Sequence, residues 1–390
     1  EVVKNLNDSD MVFFLGDIKQ LPPIGVGVPF YTLMQILPCV ELGVNKRAAE
    51  GSEVNYNTTL INHMSDNVIQ ELMFNNDSFI KVNCDDSNIP KEVLSMWQRF
   101  MNGSIDGVKH EEKEIQVISG YTTPTKIHSS TILNPLLQKM LRKGDKLLFM
   151  REKTVGGENR DRCYYKNDRV IHVNSNLYGT KRFIEVSKGV YKEVATIGVI
   201  NGELGVLVGC VRSDLIVIED FVEDELTEAQ GIYEGLSKEQ IKDMLDNRTT
   251  YEEKMINMQD LQNADNYFVI VKVYDVDLKI DVYVFYYGRQ RTKDGILFLG
   301  GNSLNDLDLS YALTTHKMQG SQTPIAIIPL GSDCSPNFIN RNMLNTMITR
   351  SQGIVGIIGS VDGADSALNQ GRMEVSTYET KCLLSILGRR

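Results

Sequence analysis

Three short apolar runs, Gln116-Val-Ile118, Ile325-Ala-Ile-Ile-Pro329 and Ile354-Val-Gly-Ile-Ile358, constrain the fold of this chain more than any other feature. They are continuous rather than alternating, the pattern of strands buried on both faces of a parallel sheet. A fourth run, Met11-Val-Phe-Phe-Leu15, stops at Gly16-Asp17. It reads as a buried strand that delivers polar groups at its C-terminal edge, where open α/β sheets bind ligands. Stretches of helical periodicity, such as that from Val54 to Met73, separate the runs, so the expectation is an α/β core with a largely parallel sheet. From about Asp168 to Leu307 the texture changes to short β-rich segments, among them Val206-Leu-Val208, Leu215 to Ile218, Tyr267 to Tyr274 and Lys279 to Tyr287. The last two flank Asp275-Val-Asp277 and predict a hairpin, and the region predicts a small antiparallel barrel inserted into the α/β domain. Within it, Ser237 with Gln240 forms a capping box ahead of Ile241, Met244 and Leu245, a helical excursion.

At 390 residues the chain is long enough for two or three domains. Its net charge of −10 runs against a general nucleic-acid binder, so any such site must be a local basic groove. No apolar run reaches the roughly 20 residues that span a bilayer, and no signal peptide opens the chain, so an intracellular, cytoplasmic protein with no membrane partner is expected. Six scattered cysteines without a Cys-x-x-Cys pair predict free thiols and no zinc site. Because the first residue is Glu1 and a strand is read so close behind it, the natural N-terminus is expected to lie further upstream.

Three segments carry chemistry. Gly16-Asp17-Ile-Lys-Gln20-Leu-Pro-Pro23 sets an acid and an amide just past a strand, placed to hold a phosphate-bound water or a metal's coordination shell. A strand-to-loop turn stiffened by two prolines is the plainer alternative. Tyr311-Ala-Leu-Thr314-Thr315-His316-Lys317-Met-Gln319-Gly320-Ser-Gln322 crowds phosphate-binding side chains around a glycine that permits close backbone approach. A capped helix start with a solvated polar face would also explain it. In Asn345-Thr-Met-Ile-Thr349-Arg350-Ser-Gln352 an apolar helix ends in an arginine before a buried strand, where a guanidinium can reach a γ-phosphate. A lone arginine there is otherwise a helix-dipole partner.

In this order the three segments resemble motifs III, V and VI of superfamily 1 helicases, in the branch containing RecD, the phage helicase Dda and the Pif1 proteins. Leu133-Asn134-Pro-Leu-Leu-Gln138 is similar to the LN-x-x-LQ segment of that branch. Asn167-Asp168-Arg169-Val170 and Asn201-Gly202-Glu203-Leu-Gly205 resemble the GD-V and NGD-G signatures of its inserted Src-homology-3-like barrel. The resemblance implies an α/β fold with RecA-like, P-loop NTPase-type parallel sheets. It divides the chain into the end of a first RecA-like domain (1–50), a second one (51–165 and 308–390) and the barrel (166–307), with the helical excursion near 237–262. It implies an ATP-driven motor moving 5′ to 3′ on single-stranded DNA and separating duplexes. Its partners would be single strands and duplex junctions, with replication or recombination proteins. Gly16, Asp17 and Gln20 would couple nucleotide to DNA, Arg350 would be the arginine finger, and Arg47 resembles the motif IV arginine that also meets the γ-phosphate. Asn134, Thr314, Thr315, His316, Lys317 and Gln319 would face DNA, while Gly320 and Gln322 would border the nucleotide. Many relatives place an acid where Gln322 stands. ATP and Mg2+ are the implied cofactors, yet no Gly-x-x-x-x-Gly-Lys-Ser/Thr sequence occurs here. That motif and the magnesium ligands are expected upstream, so this chain alone should hydrolyse little ATP.

Other candidates are plainer. His63, His110, His128 and His172 lack metal-ligand spacing, and Trp97 with Phe100 and Met101 reads as core. Tyr283, Phe285 and Tyr287 either pack a barrel or stack on bases. The densest basic stretch, Arg151, Lys153, Arg160, Arg162, Lys166 and Arg169, is either a nucleic-acid path or a solvated charged loop. The acidic run from Glu219 to Glu228 reads as a solvated loop. Two other functions remain open: a non-catalytic module that binds single-stranded DNA or a partner, and the helicase-like part of a conjugative relaxase.

Overall fold

The computed structural model describes residues 11–18, 20, 29–40, 51–63, 72, 74–75, 77–155, 158–174, 182–194, 199–219, 265–276, 278–293, 296–301, 303–334 and 339–360. The chain divides into two compact units, one of residues 1–132 and 313–390 and one of residues 133–312.

In chain order the first unit supplies helices α1 (Pro29–Ile36) and α2 (Glu53–His63), strand β1 (Phe79–Asn83), helix α3 (Ile89–Asn102) and strand β2 (Ile115–Ser119). The chain crosses into the second unit along helix α4 (Ser130–Leu141). There follow β3 (Leu147–Val155), β4 (Glu158–Tyr165), β5 (Arg169–His172), β6 (Arg182–Ser187), β7 (Val190–Val194), β8 (Leu204–Arg212), β9 (Val217–Glu219), β10 (Asn266–Asp275), β11 (Ile280–Lys293), β12 (Ile296–Gly300) and β13 (Leu307–Leu309). The chain returns along β14 (Ala312–Thr314) to β15 (Thr323–Leu330), α5 (Arg341–Ile348) and β16 (Ser351–Gly359).

The three continuous apolar runs become β2, β15 and β16. They lie in a five-stranded sheet of order β1-β16-β15-β2-β14, with β1, β16, β15 and β2 parallel. Every residue of β2 is buried, as a strand covered on both faces requires. Helix α3 packs on β15 and β16, and α2 on α5 and β16. Val93, Met96, Trp97 and Phe100 form the buried stripe of α3, so Trp97 and Phe100 are core, whereas Met101, off that stripe, is exposed. The mixed α/β fold with a parallel sheet is thus present.

Residues 11–15 depart from expectation. They form no strand among the described residues, and Phe13 and Leu15 are 77% and 92% exposed. Apolar periodicity gives a segment the capacity for a strand, but a strand exists only where a neighbour supplies the ladder and covers the side chains.

The β-rich region forms a sheet of eleven strands, along the path β13-β5-β8-β10-β11-β12-β3-β4 with β6, β7 and β9 attached through β11. Pairing is antiparallel except for β12 with β3 and β7 with β9. The expected hairpin is β10–β11, closing with Asp275 opposite Ile280, and the Asp275 carboxylate accepts the amide of Leu278 in the turn at 3.0 Å. Strands β3 and β4, assigned from sequence to the second RecA-like domain, belong to this sheet instead, because β3 pairs with β12 and β4. The helical excursion at 237–262 and the acidic run beyond Glu219 lie outside the described residues.

Phe183, Tyr191, Ile216, Phe268, Ile270 and Phe285 form the core of one face, with Tyr283 and Tyr287 packed against it. The alternating aromatics of β11 therefore pack. Gly205 is required by close approach, since a Cβ there would sit 2.5 Å from Val271 Cγ1. Asn167 stands at φ 68°, a left-handed position that asparagine tolerates.

Candidate nucleotide and nucleic-acid site

Helix α5 positions the principal group. Asn340 caps it by accepting the amide of Met343 at 3.0 Å. All eight of its residues are buried, and Thr349 ends it by donating its amide to Asn345 O at 2.9 Å. Arg350 follows directly and precedes β16. It is 2% exposed, and its guanidinium donates to the Gln20 side-chain oxygen at 2.8 Å and to Ser321 O at 3.3 Å. Gln20 in turn donates from Nε2 to Asp17 Oδ2 at 2.9 Å. The structure so joins an acid, an amide and a guanidinium into one relay, bringing together residues 330 positions apart.

Asn342, which the sequence reading missed, holds the Gln20 segment in place. Its side-chain amide donates to Ile18 O at 3.0 Å and Gln20 O at 3.2 Å. An asparagine in the first turn of a helix gives no sequence signal for such a contact. Gly16 and Asp17 are exposed, and a Cβ on Gly16 would meet the Phe30 ring at 3.0 Å. Arg47 lies outside the described residues.

The loop after β14 is anchored at both ends. Thr315 donates its amide to Ser119 O at 3.0 Å and its hydroxyl to the same oxygen at 3.3 Å. The Thr314 hydroxyl accepts the Lys317 amide at 3.3 Å, and the chain turns back through Gly320 at φ 88°. Gln322 accepts from Gln352 Nε2 at 3.0 Å, and the Thr323 amide donates to Arg350 O at 2.9 Å. Thr314 and Thr315 are therefore buried parts of the fold. His316 and Lys317 are half-buried and Gln319 is exposed.

Asn134 is buried. Its side chain donates to Ala312 O and accepts from Ala312 N, both at 2.8 Å, so both amide ends are used in clamping β14. Four positions on, Gln138 donates to Asp168 Oδ2 at 2.6 Å and to Cys163 O at 3.0 Å. Asp168 Oδ2 also accepts the Tyr165 amide at 2.7 Å, and Oδ1 accepts the Tyr311 hydroxyl at 2.7 Å, with Arg142 Nε 3.6 Å away. Burial pushes the Asp168 carboxyl up to about 6, against the pull of these donors. The Leu133–Gln138 and Asn167–Val170 signatures are thus two halves of one buried brace.

As for cofactors, Arg350 and Gln20 offer the donors that suit a terminal phosphate oxygen. No group of three or more His, Cys, Asp or Glu side chains that could hold a metal ion converges among the described residues, so the donors present do not fit magnesium. No helix among them is long and apolar enough to cross a membrane.

Residues 309–358, from β13 through β16, match the family model described as UvrD-like helicase C-terminal domain. The chain resembles superfamily 1 helicases. That helicase match contains the Thr314–Gln322 loop and Arg350, and it bears out the resemblance read from the order of the motifs. Solved structures similar to the chain include those of Pif1 helicases. That of Candida albicans shares 12% identity over 77% of this chain and 56% of its own, with a TM-score of 0.33. Bacteroides Pif1 in complex with ADP-AlF3 and ssDNA shares 12% over 90% and 57%, with a TM-score of 0.37. Bacteroides Pif1 bound to ssDNA shares 13% over 95% and 65%, with a TM-score of 0.36. The chain spans 56–65% of the length of these proteins. No curated protein matches it.

Proposed function

We propose that this chain is the C-terminal motor portion of an ATP-driven helicase that translocates 5′ to 3′ on single-stranded DNA. The observation that carries the reading is the Asp17–Gln20–Arg350 relay, with Arg350 inside the helicase-family stretch and 2.8 Å from Gln20. A nucleotide supplies a γ-phosphate whose developing negative charge an arginine stabilises. Arg350, held by Gln20 and Ser321 O, is set to do so with little reorganisation. Gln20 ties that guanidinium to Asp17, and Asn342 keeps the Gln20 backbone in register. His316, Lys317 and Gln319 contact the phosphates of the strand. We assign residues 1–50 to the end of a first RecA-like domain and the β-rich region to a Src-homology-3-like insertion. Arg47 is a further γ-phosphate contact in this reading, and a P-loop with its magnesium ligands acts with this chain in the working motor.

The test is Arg350→Ala in the full-length protein. Single-stranded DNA affinity stays within about twofold while DNA-stimulated ATP turnover falls on the order of 1,000-fold, the scale of an arginine finger. Near-normal turnover would sink the assignment. A non-catalytic DNA-binding module is the second reading, favoured by the lack of a P-loop sequence in these residues. ATP hydrolysis by the full-length protein separates the two.

A further inference from the structure

The hairpin β3–β4 is built against the usual rule for facing charges. Its register sets Arg151 opposite Arg162, and Lys153, two residues along β3 from Arg151, shares their face, while Glu152 opposes Asp161 on the other. Like charges directly opposed destabilise a sheet unless a counter-charge lies between them. The cationic face begins in the core, where Phe149 and Tyr164 stack at 4.8 Å, and runs outward through Arg151 to Lys153.

Asp308 answers these cations. It receives Lys153 Nζ at 2.5 Å on one oxygen and Arg162 Nη1 at 2.6 Å on the other. Arg151 is 3% exposed and is consumed by the fold, donating to Leu304 O, to Leu307 O at 2.8 Å and to the Tyr164 hydroxyl at 3.2 Å. Its charge nevertheless stays beside the other two. Among the described residues the charged groups that act on Lys153 are Asp308, Arg162 and Arg151, so that Lys153 and two guanidiniums surround one carboxylate. Lysine has three donors and arginine five, and Asp308 takes one from each of Lys153 and Arg162. Both remain partly open, with side chains 23% and 12% exposed.

We propose that the Arg151–Lys153–Arg162 face is a phosphate-binding site, taking the oxyanions of a phosphate group alongside Asp308. The chemistry is that of a phosphomonoester or a phosphodiester, and the inference does not depend on the motor reading. An incoming phosphate adds to the counter-charge of Asp308, and its oxygens accept the spare Lys153 and Arg162 donors. Successive same-face residues of β3 are about 7 Å apart, so the face can follow an extended backbone. Burial, with help from the neighbouring guanidiniums, holds the Lys153 ammonium down to about 8. A bound phosphate raises it again, so binding weakens as pH rises through 8.

The test measures the rate at which Lys153 in the full-length protein is acylated by a small anhydride, site by site by mass spectrometry. Inorganic phosphate and a 20-residue oligothymidylate are the two probes. Protection of Lys153 by at least fivefold is expected, and its loss in Arg162→Gln. Lys153→Arg, which keeps the charge, retains phosphate-dependent thermal stabilisation in case the glutamine variant folds poorly. Protection by the oligonucleotide at phosphate-equivalent concentrations where free phosphate fails identifies a strand-binding face. Equal protection identifies a single-phosphate pocket. Unchanged Lys153 reactivity with both probes, or protection that survives Arg162→Gln, overturns the proposal.

Discussion

The polar side chains that matter here act mostly by holding backbone. Asn342 fixes the carbonyls of Ile18 and Gln20, and Asn134 binds both polar groups of Ala312. Replacing Asn134 by alanine strands a buried donor and acceptor and is expected to cost about 2–4 kcal/mol, read by denaturant unfolding. DNA affinity should change no more than the folded fraction does, because the Asn134 side chain is 5% exposed and fully engaged. Asn342→Ala should act differently. Its global cost is about 1–2 kcal/mol, but by freeing the Gln20 segment it should lower turnover of the full-length protein roughly 10-fold or more with KM for ATP nearly unchanged. A fall in stability without any fall in turnover would show that Asn342 serves only the fold.

The hairpin β10–β11 and its neighbours show how an element is held by rings. Phe285 stacks on Phe183 at 4.7 Å and on Phe268 at 5.5 Å, and meets Tyr191 edge-on at 4.9 Å. Phe285→Ala is expected to destabilise the unit of residues 133–312 by about 3–5 kcal/mol. Loss of amide protection in β6, β8 and β10 by hydrogen exchange is the measurement. Removal of a base-stacking ring would instead weaken DNA binding and leave the exchange pattern intact. At the end of the same hairpin, Arg182 pairs with Asp275 at 2.8 Å and Glu203 at 2.9 Å. Burial raises the Glu203 carboxyl, and the Arg182 guanidinium pulls against that rise.

For the whole molecule, buried titratable groups set opposing pH trends. Burial lowers His128 and His172, so these side chains fold neutral. As pH falls below about 6.5 the unfolded chain takes up protons first, and stability is lost. Asp168 works the other way. Its folded value of about 6 lies above the ordinary carboxylate value, so the folded state holds the proton more tightly between about 4 and 6. Its contribution is greatest below about 4 and is lost as pH rises through 6, by about 2–3 kcal/mol in all. Both His172 and Asp168 lie in the unit of residues 133–312, so on acidification their two trends oppose each other there. Asp168→Asn removes one of the two trends and should leave a steady loss of stability on acidification, measurable by thermal unfolding at several pH values. A wild-type curve that falls as steeply as the variant's would refute the opposition.

The parallel strands, the hairpin at Asp275, the core role of Trp97 and the order of the three motifs were all legible in the sequence. Each depends on residues close together in the chain, where apolar period, turn chemistry and spacing act locally. Contacts between distant segments were decided by the tertiary structure. Apolar runs produced a buried strand at 115–119 and an exposed, unladdered segment at 11–15, because among the described residues only the first has neighbours that cover it. Thr315 and Asn134 were read as facing ligand, yet their polar atoms close on the carbonyl of Ser119 and the backbone of Ala312. Residue type announces that a donor must be satisfied, and packing alone selects the acceptor. Arg350 and Gln20 meet for the same reason: the sequence determined that a guanidinium follows an apolar helix, and the fold of helix α5 against the 18–20 segment determined what it holds.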